Sequence, residues 1–81
     1  MLIALDYDGT YTADPALWDA FIATAQARGH TVNILTMRYP TETIERAPCQ
    51  VVYTSRKAKH GFIPADIYID DKPGFLFQDS I

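Results

Sequence analysis

The sequence contains a single cysteine, Cys49, so this chain cannot form an internal disulfide. Proteins that keep their thiols reduced are typical of the cytoplasm, and we expect a cytoplasmic protein. No apolar run approaches the roughly 20 residues of a membrane-spanning helix. The apolar run at residues 1–5 is also shorter than the core of a signal peptide. These absences predict a globular protein without a membrane partner.

An excess of positive charge is also absent. Ten acidic and seven basic residues give a formal net charge of −3, which argues against non-specific binding of nucleic acid. The acidic residues are unevenly spread, and two close pairs stand near the chain ends, Asp6 with Asp8 and Asp70 with Asp71. A phosphorylated ligand is therefore admissible if a metal ion and local basic residues offset these carboxylates.

Four short apolar segments read as strands, because each is bounded by turn or polar residues. They cover residues 2–6, 31–36, 50–54 and 66–70. Asp14 and Pro15 predict the start of a helix, which Gly29 ends. Its apolar face comprises Leu17, Trp18, Phe21, Ile22 and Ala25.

Three further segments have less regular patterns. Residues 40–43 can begin a second short helix, which Pro48 ends. Residues 55–60 can form one helical turn before Gly61, and residues 74–77 can pack as a tail or a short edge strand.

Strands that alternate with helical segments indicate a parallel sheet covered by helices. The 81 residues are enough for one domain, residues 1–81, at the small end of the range that folds alone. We therefore predict an α/β fold: a small Rossmann-like three-layer sandwich with a mainly parallel sheet of about four strands.

Polar side chains follow every predicted strand, at the edge where parallel sheets bind ligands. In chain order they are Asp6 and Asp8, Thr36 and Arg38, Lys57 and Lys59, and Asp70 and Asp71. Two like charges about 4 Å apart repel by roughly 4 kcal/mol at an effective dielectric constant near 20. A cation should therefore accompany four converging carboxylates, and hard oxygen ligands favour Mg²⁺. Beside Mg²⁺, one carboxylate can attack a phosphoryl group while a second transfers protons.

The order of these residues resembles the four motifs of the haloacid dehalogenase-like (HAD) superfamily. The match consists of Asp6-x-Asp8-x-Thr10 after the first strand, Thr36, a lysine after the third strand, and the acidic pair at 70–71. The resemblance implies a phosphatase-type member, with Asp6 as nucleophile and metal ligand. It implies that Asp8 is the general acid/base and a metal ligand through its backbone carbonyl. Thr36 would bind phosphate, and Asp70 and Asp71 would complete the metal site.

Several alternatives stay open at this point. Lys59 is the favoured phosphate-contacting lysine, with Lys57 as the other candidate, and Arg38 could contact phosphate or be solvated. The chain has no room for the cap domain that HAD enzymes generally carry, which predicts an open site, a phosphorylated small molecule or macromolecule as substrate, and possible homo-oligomers. The alternative function is a catalytically weak or inactive HAD-fold binding or regulatory module. A response-regulator receiver fits poorly, because there the acidic pair follows the first strand and a lone phosphoacceptor follows the third. This chain has its adjacent pair, Asp70-Asp71, last, and it is too short for a receiver.

Overall fold

The computed structural model describes the whole chain, residues 1–81. It has an α/β fold with one four-stranded parallel sheet and one α-helix, which confirms the predicted small Rossmann-like class. The strands are β1 (Leu2–Leu5), β2 (Thr31–Thr36), β3 (Val51–Tyr53) and β4 (Ile67–Ile69). The helix is α1 (Pro15–Ala27), and three 3-10 turns cover Tyr11–Ala13, Lys59–Gly61 and Pro73–Leu76. No helix combines the length and apolar composition needed to cross a membrane.

The strand order in the sheet is β3-β2-β1-β4. The chain runs from β1 outward through β2 to β3 and then returns to the other side of β1, so the strand order reverses there. Such a reversal opens a crevice at the carboxyl ends of the strands. The register pairs Leu5 with Ile69, and the backbone N–H of Asp6 donates to the carbonyl oxygen of Ile69 at 2.9 Å. This pairing brings the residues after β1 beside those after β4.

The hydrophobic core lies between the sheet and α1. Ile3 and Leu5 of β1, Val32 of β2, and Ile22 and Ala25 of α1 are all buried in one cluster. As predicted, Pro15 is the first residue of α1 and the Asp14 carboxylate caps it by accepting the N–H of Leu17 at 3.2 Å. Leu17 was predicted to lie on the apolar face, but it is 55% exposed and does not belong to the buried face of α1.

The predicted second helix at residues 40–48 does not form. Local side-chain hydrogen bonds make turns there instead. The Glu42 carboxylate accepts the N–H of Tyr39 at 2.9 Å, and the Thr43 hydroxyl donates to the carbonyl oxygen of Pro40 at 3.3 Å. With α1 as the single α-helix, the second outer layer of the predicted sandwich contains no α-helix.

The prediction of a helical turn at residues 55–60 is also wrong for the first half of this segment. Ser55 and Arg56 have φ values of 53° and 70°, and two successive left-handed residues cannot continue a right-handed helix. Only Lys59–Gly61 forms a 3-10 turn. Residues 73–76 likewise form a 3-10 turn rather than an edge strand.

Candidate functional site

A buried lysine joins carboxylates from the two ends of the chain. Lys59 Nζ lies 2.6 Å from Asp6 Oδ1 and 2.6 Å from Asp70 Oδ2. The side chains of all three residues are at most 8% exposed. Because buried charges are stable only when they are paired and hydrogen-bonded, each of these groups depends on the others.

Thr10 connects Asp6 to the second residue of the acidic pair. Its hydroxyl oxygen lies 2.9 Å from Asp6 Oδ2 and 3.1 Å from Asp71 Oδ1, and it accepts the backbone N–H of Asp71 at 3.1 Å. Carboxylate oxygens of Asp6, Asp70 and Asp71 all lie within 4.8 Å of one another. These three residues could therefore hold a metal ion.

Gly9 gives Asp71 the space to approach Asp6. Its φ is +85°, and a Cβ on Gly9 would lie 2.5 Å from Asp71 Oδ2. A side chain at this position would thus displace the Asp71 carboxylate from the group. The Asp8-Gly9-Thr10 turn therefore serves the site through the small size of its middle residue as well as through its polar groups.

Asp8 is the exception among the four acidic residues. Its carboxylate is not part of the close group; instead Arg38 Nε and Nη2 donate to its two oxygens at 2.9 and 2.8 Å. This ion pair is exposed, with 29% of the Arg38 side chain and 55% of the Asp8 side chain accessible. The hydrogen bonds from Arg38 hold the pKa of Asp8 below its ordinary value. Coordination by the backbone carbonyl of Asp8 stays a prediction.

The structure separates the two candidate lysines clearly. Lys59 points into the site, whereas the Lys57 side chain is 69% exposed and its Nζ lies 3.6 Å from Asp79 Oδ2. Thr36 is buried at the end of β2, and its hydroxyl oxygen accepts the backbone N–H of Arg38 at 3.3 Å. Asp6, Asp8, Thr36 and Lys59 all line one cavity of about 250 Å³, together with Asp70 and Asp71. Lys57 does not line it.

The unusual turn after β3 directs Lys59 into this cavity. The N–H groups of Ser55 and Arg56 donate to the carbonyl oxygens of Arg38 and Met37 at 3.2 and 2.9 Å, so the turn is fastened to the segment after β2. The Thr54 hydroxyl donates to the carbonyl oxygen of Lys57 at 2.8 Å. Backbone conformations of this kind are costly and persist where surrounding contacts determine them, often beside functional sites.

Burial changes the acidity of the central carboxyl group. Loss of solvation on burial raises the pKa of Asp6 to about 6, and the hydrogen bond and charge of Lys59 limit the rise. Asp6 is therefore mainly ionised at neutral pH, although it holds its proton more tightly than an exposed aspartate does. An ionised carboxylate is what both metal coordination and nucleophilic attack need.

Sequence reasoning missed five cavity-lining residues: Met37, Arg56, Lys72, Phe75 and Ser80. Arg56 and Lys72 follow strands, as the predicted residues do, so their position could have indicated them. Phe75 had no such signal, because its place depends on a 3-10 turn that the pattern did not predict.

No protein-family model matches the chain, and no curated protein or solved structure matches it either. The family resemblance of the motifs therefore stays a prediction.

Proposed function

We propose that the protein is a Mg²⁺-dependent phosphohydrolase that acts on phosphate monoesters through an aspartyl phosphate on Asp6. The observation that carries the proposal is the contact of Lys59 with both Asp6 and Asp70 at 2.6 Å, inside a cavity that four carboxylates line. A nucleophile, a cation beside it and a cluster of oxygen ligands in one small cavity favour phosphoryl transfer.

Asp6 is the proposed nucleophile. Its Oδ1 contacts Lys59 and its Oδ2 lies beside the Thr10 hydroxyl, so the carboxylate is held in one orientation. One Asp6 oxygen forms a bond to phosphorus as the bond from phosphorus to the leaving-group oxygen breaks. Lys59 offsets the negative charge that collects around the phosphoryl group.

Asp8 is the proposed proton carrier. Asp8 must carry a proton, and so lie outside its ion pair with Arg38, when it protonates the leaving-group oxygen. It then takes a proton from the water that attacks the phosphorus of the aspartyl phosphate, which restores its protonated form. That second step releases inorganic phosphate and restores the Asp6 carboxylate. The Thr36 hydroxyl, at the end of β2 in the same cavity, is the proposed contact for a phosphoryl oxygen.

The residues present fit Mg²⁺ as the metal. Asp6, Asp70 and Asp71 offer hard oxygen atoms within 4.8 Å of one another, and Mg²⁺ prefers one or two carboxylates with water and phosphate oxygens. When bound, Mg²⁺ would neutralise negative charge on the phosphoryl oxygens.

Release of phosphate from an aryl phosphate tests the proposal. We expect turnover that requires Mg²⁺ in the wild type and is lost in Asp6→Asn. Asp19→Asn is the matched control, because Asp19 lies on α1 outside this cavity, where it accepts a hydrogen bond from Tyr11. Equal, negligible release from the wild type and Asp6→Asn across a broad panel of phosphate esters would contradict the proposal.

A phosphate-binding module without turnover is the second candidate. The observation that favours it is the Arg38–Asp8 ion pair, which engages both oxygens of the proposed proton carrier. Saturable binding of a phosphate ester, without product release, would support this candidate.

A further inference from the structure

The cavity contains more than half of the lysine and arginine side chains of the chain, beside four carboxylates. Four of its seven lysine and arginine residues line this one cavity, although the protein as a whole is acidic. Lys59 is fully engaged by Asp6 and Asp70 in the interior. The other three are Arg38, Arg56 and Lys72, which belong to the more exposed part of the lining.

These three cations differ in how firmly the protein holds them. Arg56 is fixed by the fold, because its guanidinium donates to the carbonyl oxygen of Met37 at 3.0 Å and to both carboxylate oxygens of Glu42 at 3.0 and 3.1 Å. Lys72 forms no ion pair, but a single ammonium group selects a ligand only by charge.

Arg38 combines a planar donor edge with an exchangeable partner. Its Nε and Nη2 face the two oxygens of Asp8, which is the geometry that also binds a carboxylate or phosphate of a ligand. Exposed ion pairs of this kind contribute little stability, so another anion can replace Asp8 at small cost. The guanidinium lies 5.0 Å from the centre of the Tyr7 ring, and Nη1 donates to the carbonyl oxygen of Glu42 at 3.3 Å. These two contacts would keep Arg38 at the cavity mouth after Asp8 leaves.

The ion pair between Arg38 and Asp8 also restricts the proposed proton transfer by Asp8. While Arg38 donates to both oxygens of Asp8, it holds this carboxylate in an ion pair and restricts its approach to the oxygen of a leaving group. A substrate anion that replaces Asp8 as the partner of Arg38 would release Asp8 when the substrate binds.

We propose that the substrate is a small phosphomonoester whose leaving group carries a second anionic group, and that Arg38 binds this group in exchange for Asp8. The inference rests on the proposed phosphohydrolase function and specifies its substrate class. Arg38 thereby selects the substrate and couples its binding to the release of Asp8.

Matched substrates test this selection. The first pair is 3-carboxyphenyl phosphate and its uncharged methyl ester, which share the phosphate and the aryl leaving group. The second pair is propane-1,3-diol bisphosphate and propyl phosphate. We expect the anionic member of at least one pair to have a kcat/KM at least about tenfold higher, the effect of one charge-assisted hydrogen bond. The pair with the larger ratio distinguishes a carboxylate from a phosphate, and part of the gain should lie in kcat.

Arg38 variants assign the effect to this residue. In Arg38→Ala we expect both members of a pair to be hydrolysed at nearly equal kcat/KM, and in Arg38→Lys only part of the preference should return. Arg28→Ala is the matched control, because Arg28 lies at the end of α1 outside the cavity, and it should keep the full preference.

The outcomes separate this inference from the proposed function. Asp6-dependent turnover with equal kcat/KM within both pairs, or a preference that survives in Arg38→Ala, would overturn the inference and leave the phosphohydrolase standing. Asp6-dependent turnover of other phosphate esters but of none of these four would overturn the inference alone. Absence of Asp6-dependent turnover on these four and on the broad panel of phosphate esters would overturn both.

Discussion

The site contains two groups of ion pairs that differ in burial. Lys59, Asp6 and Asp70 form an interior group whose side chains are 4%, 8% and 4% exposed. Arg38 and Asp8 form a group at the cavity mouth whose side chains are 29% and 55% exposed. Both contain contacts shorter than 3 Å, so distance alone does not distinguish them.

Because the two groups differ in exposure to water, the loss of one partner has a different effect in each. Charges in the interior have lost water, so removing one partner leaves an uncompensated charge. Charges at the mouth keep water and can exchange partners cheaply. In the proposed function, the interior group would hold a reacting phosphoryl group in place and the mouth group would respond to a substrate.

The largest expected difference is between two lysines. Lys59→Met removes the cation between Asp6 and Asp70, and we expect the free energy of unfolding at pH 7.5 to fall by about 3–5 kcal/mol in the presence of a chelator. Lys57→Met is the matched control, and we expect a change of less than about 1 kcal/mol, because Lys57 is exposed. Urea unfolding measures both. Equal losses in the two variants would contradict the distinction between buried and exposed ion pairs.

The acidity of Asp6 gives the next effect. Its pKa is about 6 in the folded chain against 3.8 for an exposed aspartate, so the folded state binds this proton more tightly than the unfolded state. The free energy of unfolding should therefore fall as pH rises from about 3.8 to about 6, by about 3 kcal/mol in all. Asp6→Asn should lack this decline. Unfolding curves with a chelator measure it as the difference between the two proteins, and parallel pH profiles would contradict it.

Two glycines with the same φ allow the cost of backbone strain to be measured apart from the displacement of Asp71. Gly9 and Gly29 both have φ of +85°, but only a side chain on Gly9 would meet Asp71; nothing lies within 4 Å of a Cβ on Gly29. We expect Gly9→Ala and Gly29→Ala each to cost about 1–2 kcal/mol of stability.

Metal binding should distinguish the two variants. Only Gly9→Ala should weaken Mg²⁺ binding, because its methyl group displaces the Asp71 carboxylate. Calorimetric titration with Mg²⁺ measures this, and unchanged affinity in Gly9→Ala would show that Asp71 is not needed for the ion.

The smallest expected effect on stability belongs to the mouth. Arg38→Ala should change the free energy of unfolding by less than about 1 kcal/mol, because an exposed ion pair contributes little. Thermal unfolding followed by circular dichroism measures it. A loss as large as that of Lys59→Met would mean that Arg38 is part of the structural core of the site.

The regular helix and strands of this fold could be predicted well from the sequence. The four strands and α1 lie within one or two residues of their predicted bounds, since apolar runs, Asp14-Pro15 and Gly29 all act locally. The convergence of Asp6, Asp70 and Asp71 could also be predicted, because parallel strands present their carboxyl ends at one edge.

The remaining features depend on contacts between distant segments. Ser55 and Arg56 have left-handed φ values, and their backbone N–H groups donate to carbonyl oxygens of the segment after β2. No local sequence pattern predicts such a turn. The pairing of Asp8 with Arg38 joins residues 30 positions apart, so the sequence left the role of Arg38 open. The sequence pattern alone could not show that the Asp8 side chain pairs with Arg38 instead of joining the other three carboxylates.

Identification of the phosphorylated residue tests the central claim most directly. The protein is mixed with Mg²⁺ and a phosphate ester, quenched in acid within the first turnover, and digested for mass spectrometry. We predict a phosphoryl group on Asp6 that is absent from Asp6→Asn. Turnover without any covalent phosphate, or a phosphoryl group on a different residue, would contradict it.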